Sequence, residues 1–498
     1  MVNAAALTVN GHASQSIRFA EMPQEDIKWC AISLLDVLKT GKRLEATVYE
    51  VSGKHARESV ENCKWGTVKL SDPVHGPIKR IYYPGRFKRI YSDAANGIPF
   101  FLPSQMTDIY PRPEKYISTF TKCDIEELRL KKGDILLTRS GTIGSVALVS
   151  KTLEDTIFSD DVIRVTPKDN INTGFLYVYF RSDTGNTILQ TNGYGSVIPH
   201  IEPHHLTNMP VPSPPEIIKV KINDLIIRSF ELRDESNELI DTATALFVEA
   251  LRLPLIHEFA FERFDASREF NNYSVKLSNL AGRLDGTYHA PIVKAITDHL
   301  RVYAAEVTSI EDSRICKEII LPGRFKRVYV TEGQGRVFFS GKSIMELDPS
   351  DKKYLSFAQH ESRIKNQLTI KQNMILLTCS GVNLGKAALV PKHWDNWAMT
   401  HDIIRIVPEA SMSGYLYIWL QSLYAYRIIQ SMAYGSAVPH IEKTHLKDMP
   451  VPVLKNKSAQ VEINNLALEA NRKRFEAYQL EQEAIRIMND EVIFAKPK

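Results

Sequence analysis

The densest chemistry in the sequence is basic. PGRFKR stands at residues 84–89, and with the cations just before it places Lys79, Arg80, Arg86, Lys88 and Arg89 inside eleven residues that hold no acid. The same hexapeptide returns at 322–327 with Arg324, Lys326 and Arg327, and a tyrosine (Tyr91, Tyr329) follows each turn at the same distance. Ammonium and guanidinium groups neutralise phosphates and release condensed counterions. Arg can also take guanine through O6 and N7. Phosphate clamping, base reading and a merely solvated basic turn all remain open for this segment.

Two further motifs carry polar groups in both copies. SGTIG (140–144) corresponds to SGVNLG (380–385), and within the match Arg139 faces Cys379 and Thr142 faces Asn383. These two pairs are the candidates for contacts that differ between copies, neutral drift being an equal reading, and the shared Ser140 and Ser380 are candidate DNA contacts common to both. The segment lacks the Lys-Ser/Thr of a Walker loop and the full GxGxxG. YGSVIPHI (194–201) returns as YGSAVPHI (434–441), so Tyr194, Ser196, His200, Tyr434, Ser436 and His440 are candidate contacts to backbone or base, plain packing being the commoner role for such tyrosines and serines. His200, His204, His205 and Glu202 could bind zinc, but Thr444 replaces His204 in the second copy, and a hydrogen-bonded structural pair beside the proline turn is the expected role. No metal site is therefore assigned. Asp161 and Asp402 precede strands that hold Arg164 and Arg405, and Asp–Arg pairing within the fold is expected there. No repeated acid cluster of the kind a magnesium nuclease needs is present.

These residues sit in a duplication. Residues 173–212 and 413–452 align without a gap and share 19 of 40 residues. RLEATVY (43–49) matches RLDGTYH (283–289), LLTRSGTIGSVALV (136–149) matches LLTCSGVNLGKAALV (376–390), and DVIRVTP (161–167) matches DIIRIVP (402–408). Short β-branched runs bounded by Gly, Asp and Pro read as strands. TGFLYVYFRS and SGYLYIWLQS read as amphipathic helices. Where the copies diverge most, at 90–131 and 328–371, discriminating loops are expected.

After each MPVP the texture becomes helical. Leu225, Leu232, Leu239, Leu246 and Leu253 keep a seven-residue spacing, and Ile222, Ser229, Ser236 and Ala243 form a second line three residues ahead. The tail repeats the scheme, with Leu466, Leu480, Ile487 and Phe494 on one line and Ile463, Ala470, Ala477 and Ala484 on the other; Lys473 interrupts it. Such an a/d pattern is a coiled-coil seam, and small residues let backbones approach closely. Copies related by a two-fold axis require these helices to run antiparallel. About 35 helical residues make a rod of roughly 50 Å.

The remaining composition is that of a soluble globular chain, with 44% apolar and 24% charged residues and a net charge of +4. That charge is too small to argue for a polyanion partner by itself. No apolar run reaches membrane-span length, and residues 1–30 lack the basic start of a secretory signal. Five scattered cysteines (Cys30, Cys63, Cys123, Cys316, Cys379) suit reduced thiols in a cytoplasm.

Taken together, the duplicated units alternating with two long helices, the RLD-like openings, GDILLTRSGTIG and the GS…P.I…L…P.P exit resemble the specificity subunit of type I restriction–modification systems. The likeness runs over residues of about 30 to 495. It implies an α+β fold: two tandem, pseudo-two-fold-related target-recognition domains (31–214 and 257–455) separated by two long antiparallel coiled-coil helices (215–256 and 456–498), after an N-terminal extension (1–30). It implies a non-catalytic, cytoplasmic, prokaryotic protein that reads a bipartite site on double-stranded DNA. Two adenine-N6 DNA methyltransferase subunits would dock on it and bring S-adenosylmethionine, no cofactor being bound by this chain. A restriction or translocase subunit, or a phage-defence complex without a nuclease, is left open. A self-contained DNA-modifying enzyme is opposed by the absence of an (N/D)PP(Y/F) motif and a Gly-rich cofactor loop.

Overall fold

A computed structural model describes residues 32–39, 43–195, 197–259, 273–280, 282–435 and 437–495. Two units of matching topology emerge. The larger sheet of the first is antiparallel, with spatial order 78–82, 162–167, 135–138 and 146–148. Its counterpart runs 316–320, 403–408, 375–378 and 387–389. The divergent stretches 90–131 and 328–371 are not simply loops. Each supplies three strands of a smaller sheet, ordered 91–92, 115–118, 97–101, 157–158 in one unit and 329–330, 353–356, 335–339, 398–399 in the other. MPVP closes each unit as a strand against 67–69 or 306–309. Both are two-stranded ladders, where proline's missing N–H is tolerated.

The helices Asn170–Arg181 and Ser413–Gln421 are buried nearly all round rather than amphipathic. Sheet lies on one side and a long helix on the other, so both faces must be apolar. The close approach depends on glycine. Gly174 and Gly414 donate their N–H to the side-chain oxygens of Asn223 (2.9 Å) and Asn464 (2.8 Å) on the long helices. A Cβ on either would come within 2.7 Å of Asn223 Cα or 2.2 Å of the Asn464 carbonyl oxygen.

Arg164 and Arg405 correct an expectation. Neither pairs with the preceding aspartate. Both are fully buried, and their guanidiniums are solvated by backbone carbonyls: Val162, Leu128 and Phe158 for Arg164, and Ile403, Met399 and Thr400 for Arg405. Burial lowers their pKa to about 10 and about 9. Cys63, Cys316 and Cys379 are buried and free, Cys123 is half-buried and free, and Cys30 lies outside the described residues.

The long helices, Glu216–Ala250 and Lys457–Ile487, pack on each other and run antiparallel. Their contacts descend one helix as they climb the other: Lys221 meets Glu491, Ser229 meets Ala477, and Glu235 meets Lys473. The line Ile222, Ser229, Ser236, Ala243 and its counterpart Ile463, Ala470, Ala477, Ala484 are completely buried. Leu232 and Ile487 are buried as well, but Leu225, Leu239, Leu246, Leu466 and Leu480 are only half-buried and Phe494 is exposed. The small residues form the centre of the seam and most of the leucines flank it. Phe230, Ile240 and Phe247 turn instead into the cores of the units.

The first unit caps the rod where Ile222, Ile226 and Phe230 meet Ala484, Ile487 and Met488. The second caps the other end, on Ile240, Ala243, Phe247, Ile463, Ala467 and Ala470. The units nevertheless touch midway. Asp108 bridges Glu346, and the Ile109 N–H donates to the Met345 carbonyl at 2.9 Å. These residues belong to, or directly adjoin, the stretches expected to discriminate targets. Part of that divergence therefore serves contact between units.

Candidate nucleic-acid interface

In each larger sheet, strand register brings four strand ends to one edge. Tyr82 lies opposite Arg164, Thr138 opposite Val162, and Leu137 opposite Val146; in the second unit Ile320 faces Arg405, Thr378 faces Ile403, and Leu377 faces Ala387. The basic turn and the SGTIG loop leave from this edge. The YGS loop joins them through hydrogen bonds from Gly141 N–H to the Pro199 carbonyl (3.1 Å) and from Ile201 N–H to the Arg139 carbonyl (2.8 Å). Gly381 and Pro439, and Ile441 and Cys379, repeat the arrangement.

Along PGRFKR the side chains alternate between exposed and half-buried. Phe87 packs edge-on to Phe100 at 6.3 Å, while Arg86 and Lys88 are exposed, as are Arg324 and Lys326. The last arginine turns back into the fold. Arg89 pairs with Asp160 at 2.5 Å and donates to Ser159, and Arg327 donates to Thr400 (2.9 Å) and meets His401 Nδ1 (3.1 Å). Their role is to anchor the turn. Lys79 and Arg80 are exposed on the preceding strand, Arg80 lying over the Tyr82 ring at 3.6 Å. Tyr91 and Tyr329 are exposed, each under a lysine (Lys115 and Lys353) at 4.8 and 4.9 Å.

Arg139 does not reach outward. It is 5% exposed, pairs with Asp161 at 2.9 Å and with Glu202, and lies over the Tyr83 ring at 4.6 Å. It ties the three loops together, a role Cys379 cannot fill in the second unit. Ser140 donates to Asp161, and Ser380 bridges His440 through the backbone. Thr142 is exposed and Asn383 half-exposed. The Tyr194 hydroxyl donates to Glu202 at 3.2 Å and that of Tyr434 to Glu442 at 2.8 Å. His200 and His440 close their loops by paired backbone bonds to those tyrosines, and Ser196 and Ser436 lie outside the described residues.

The histidine cluster has a structural use. His205 Nδ1 accepts the Glu202 N–H at 3.1 Å, and His445 does the same for Glu442 at 3.0 Å. Burial depresses His205 to about 4, which keeps the ring neutral and able to accept. Among the described residues, no group of three or more His, Cys, Asp or Glu is placed to hold a metal ion. No helix among them is long and apolar enough to cross a membrane.

One functional pair was matched in sequence without being given a role. Arg43 donates to the carbonyls of Asn192 (2.8 Å) and Gly193 (3.2 Å), and Arg283 to those of Met432 (2.7 Å) and Ala433 (2.9 Å). The RLE and RLD arginines thus brace the base of each YGS loop. Their recurrence 240 residues apart was the available signal.

Residues 88–238 match the family model described as Type I restriction modification DNA specificity domain. No curated protein matches the chain. Among solved structures, the chain is similar to the S subunit of a type I restriction-modification system from M. genitalium, at 12% identity over 86% of this chain and 95% of that one, with a TM-score of 0.30. It is also similar to the HsdS subunit from Thermoanaerobacter tengcongensis, at 13% identity over 84% and 98%, with a TM-score of 0.25.

Proposed function

We propose that this chain, whose residues 88–238 match the model of a type I restriction modification DNA specificity domain, is the non-catalytic subunit that selects a bipartite DNA site for partner enzymes. The observation that carries the reading is the repetition of one exposed pair, Arg86/Lys88 and Arg324/Lys326, at the same sheet edge of two units fixed to opposite ends of an antiparallel rod. Each edge holds phosphates by charge. The divergent small sheets beside it, starting at Tyr91 and Tyr329, supply base discrimination. The 35-residue helix spans roughly 52 Å, about one and a half turns of B-DNA, and so sets the gap between half-sites.

The chemistry belongs to the partners. Two adenine-N6 methyltransferase subunits dock on the helix pair and supply S-adenosylmethionine, and flipping of the target base is theirs. What this chain does is bind, orient and space. The test is to assemble the chain with its methyltransferase subunits and map methylated adenines along DNA. A split motif of fixed gap is expected, and deleting seven residues within 222–253 should shorten that gap or abolish activity. Methylation or cleavage by the chain alone, or modification without sequence preference, would overturn the reading.

A further inference from the structure

The YGS loops carry something that charge and hydrogen bonding do not explain. The tip of the first exposes two aliphatic side chains, Val197 at 90% and Ile198 at 54%, followed by exposed Pro199. The second has Ala437 and Val438, the latter 59% exposed. Its lost side chain is made up next door, because the neighbouring SGVNLG loop gains Val382, which is 95% exposed and follows the glycine bonded to Pro439. Both units thus present a pair of unpartnered aliphatic groups at the same place.

The loops are built to hold that shape. Tyr194 and His200 exchange two backbone hydrogen bonds (2.8 and 2.7 Å), as do Tyr434 and His440 (2.9 and 2.8 Å). Gly195 and Gly435 take φ values of 101° and 95°, and a Cβ there would collide with the carbonyl of Ile198 or Val438. Arg43 and Arg283 brace the base. Each tip shares its edge with exposed Arg86 and Lys88, or Arg324 and Lys326, and Tyr83 against Arg139 links the basic turn to the loop pair. A stiff apolar point beside phosphate-binding cations is what proteins use to enter a base step and part it.

We propose that these tips are apolar wedges: Val197 and Ile198 in one half, Val438 with Val382 in the other, pressed between base pairs of the bound DNA. The inference rests on the DNA-selecting reading above. Because the wedge is common to units whose small sheets diverge, it acts at a step of each half-site without choosing its sequence. It distorts the duplex where the partner enzyme must extract its base.

The test uses 2-aminopurine scanned through the mapped site in the assembled methyltransferase complex. Brightening is expected at one step in each half besides the methylated adenines. The Val197→Ser/Ile198→Ser chain should lose the first of these signals alone, and Val438→Ser/Val382→Ser the second alone. If the complex binds its site but no such step brightens, or the brightening survives both substitutions, the wedge is refuted while the selecting function stands. If the serine variants fail to retain the methyltransferase on gel filtration, the tips are protein-docking points and the wedge is equally refuted. Absence of any site-selective binding would instead remove the underlying function.

Discussion

The Ser229 hydroxyl donates to the backbone carbonyl of Ala477 at 2.7 Å, across the seam between the two long helices. Such a bond needs backbones close enough for a two-atom side chain to span them, which only small residues permit. Replacing Ala477 by Leu adds three carbons where Ser229 and Ala477 are completely buried. Overpacking of this kind costs about 1–3 kcal/mol. A lowered thermal midpoint is expected, with the exposed neighbour Gln479→Leu unchanged as control; equal melting of the two would contradict a tight seam.

One turn along, Arg233 and Arg181 enclose Glu481, which also accepts the Tyr177 hydroxyl at 2.7 Å. Burial alone would raise this carboxyl, but the two guanidiniums and the tyrosine bring it from the ordinary 4.5 down to about 2. A depressed carboxylate contributes stability that is present above its unfolded pKa and is lost as pH falls through the folded one. Denaturant midpoints of the native chain should therefore fall steeply between about pH 4.5 and 2. Glu481→Gln should flatten that limb and cost roughly 1.5–3 kcal/mol at neutral pH, since two part-buried guanidiniums lose their shared carboxylate and only Arg181 keeps another, Asp348. The pseudo-symmetric position holds Ile240, so this ionic group marks one end of the rod.

Affinity for DNA should divide along the alternation in PGRFKR. Arg86→Glu/Lys88→Glu should weaken binding by the complex and reduce the slope of log K against log salt by about 2, taking roughly 0.9 per phosphate contact on B-DNA. Arg89→Glu should instead place a second acid beside Asp160 and lower the melting temperature of the first unit. Salt titration by fluorescence anisotropy separates the two. An unchanged slope in the double variant would remove the clamp.

The duplication was readable because identical motifs recur at nearly constant spacing, and the antiparallel helix pair because its small residues keep a strict seven-residue interval. Other features were not, for physical reasons. Most of the leucines look like the seam, yet Phe230, Ile240 and Phe247 draw part of each helix surface into a unit and shift the contact line. Arg139 looks like a free base reader because its partners, Asp161 and Glu202, lie 22 and 63 residues away and meet it only once the loops have closed. The buried Arg164 and Arg405 offer no pattern at all. Their partners are backbone carbonyls, which every residue carries.

The contact between the units supplies a final expectation. Asp108 is pushed up to about 7, chiefly by burial, with Glu346 and Glu114 opposing its ionisation and Lys386 favouring it. Burial raises Glu346 too. Lys386 comes from the second unit and is already paired with Glu114 of the first, so little positive charge is left for Asp108. For a carboxyl raised above its unfolded value of 3.8, the contact is favoured while the group stays protonated. It weakens as pH climbs from about 4 and is weakest above about 7. Energy transfer between dyes on exposed sites of the two units should accordingly fall between about pH 4 and 7. Asp108→Asn, which cannot ionise, should keep transfer high throughout. Transfer that is flat with pH in the native chain would mean that the bridge between Ile109 and Met345 holds the units together without help from the carboxyls.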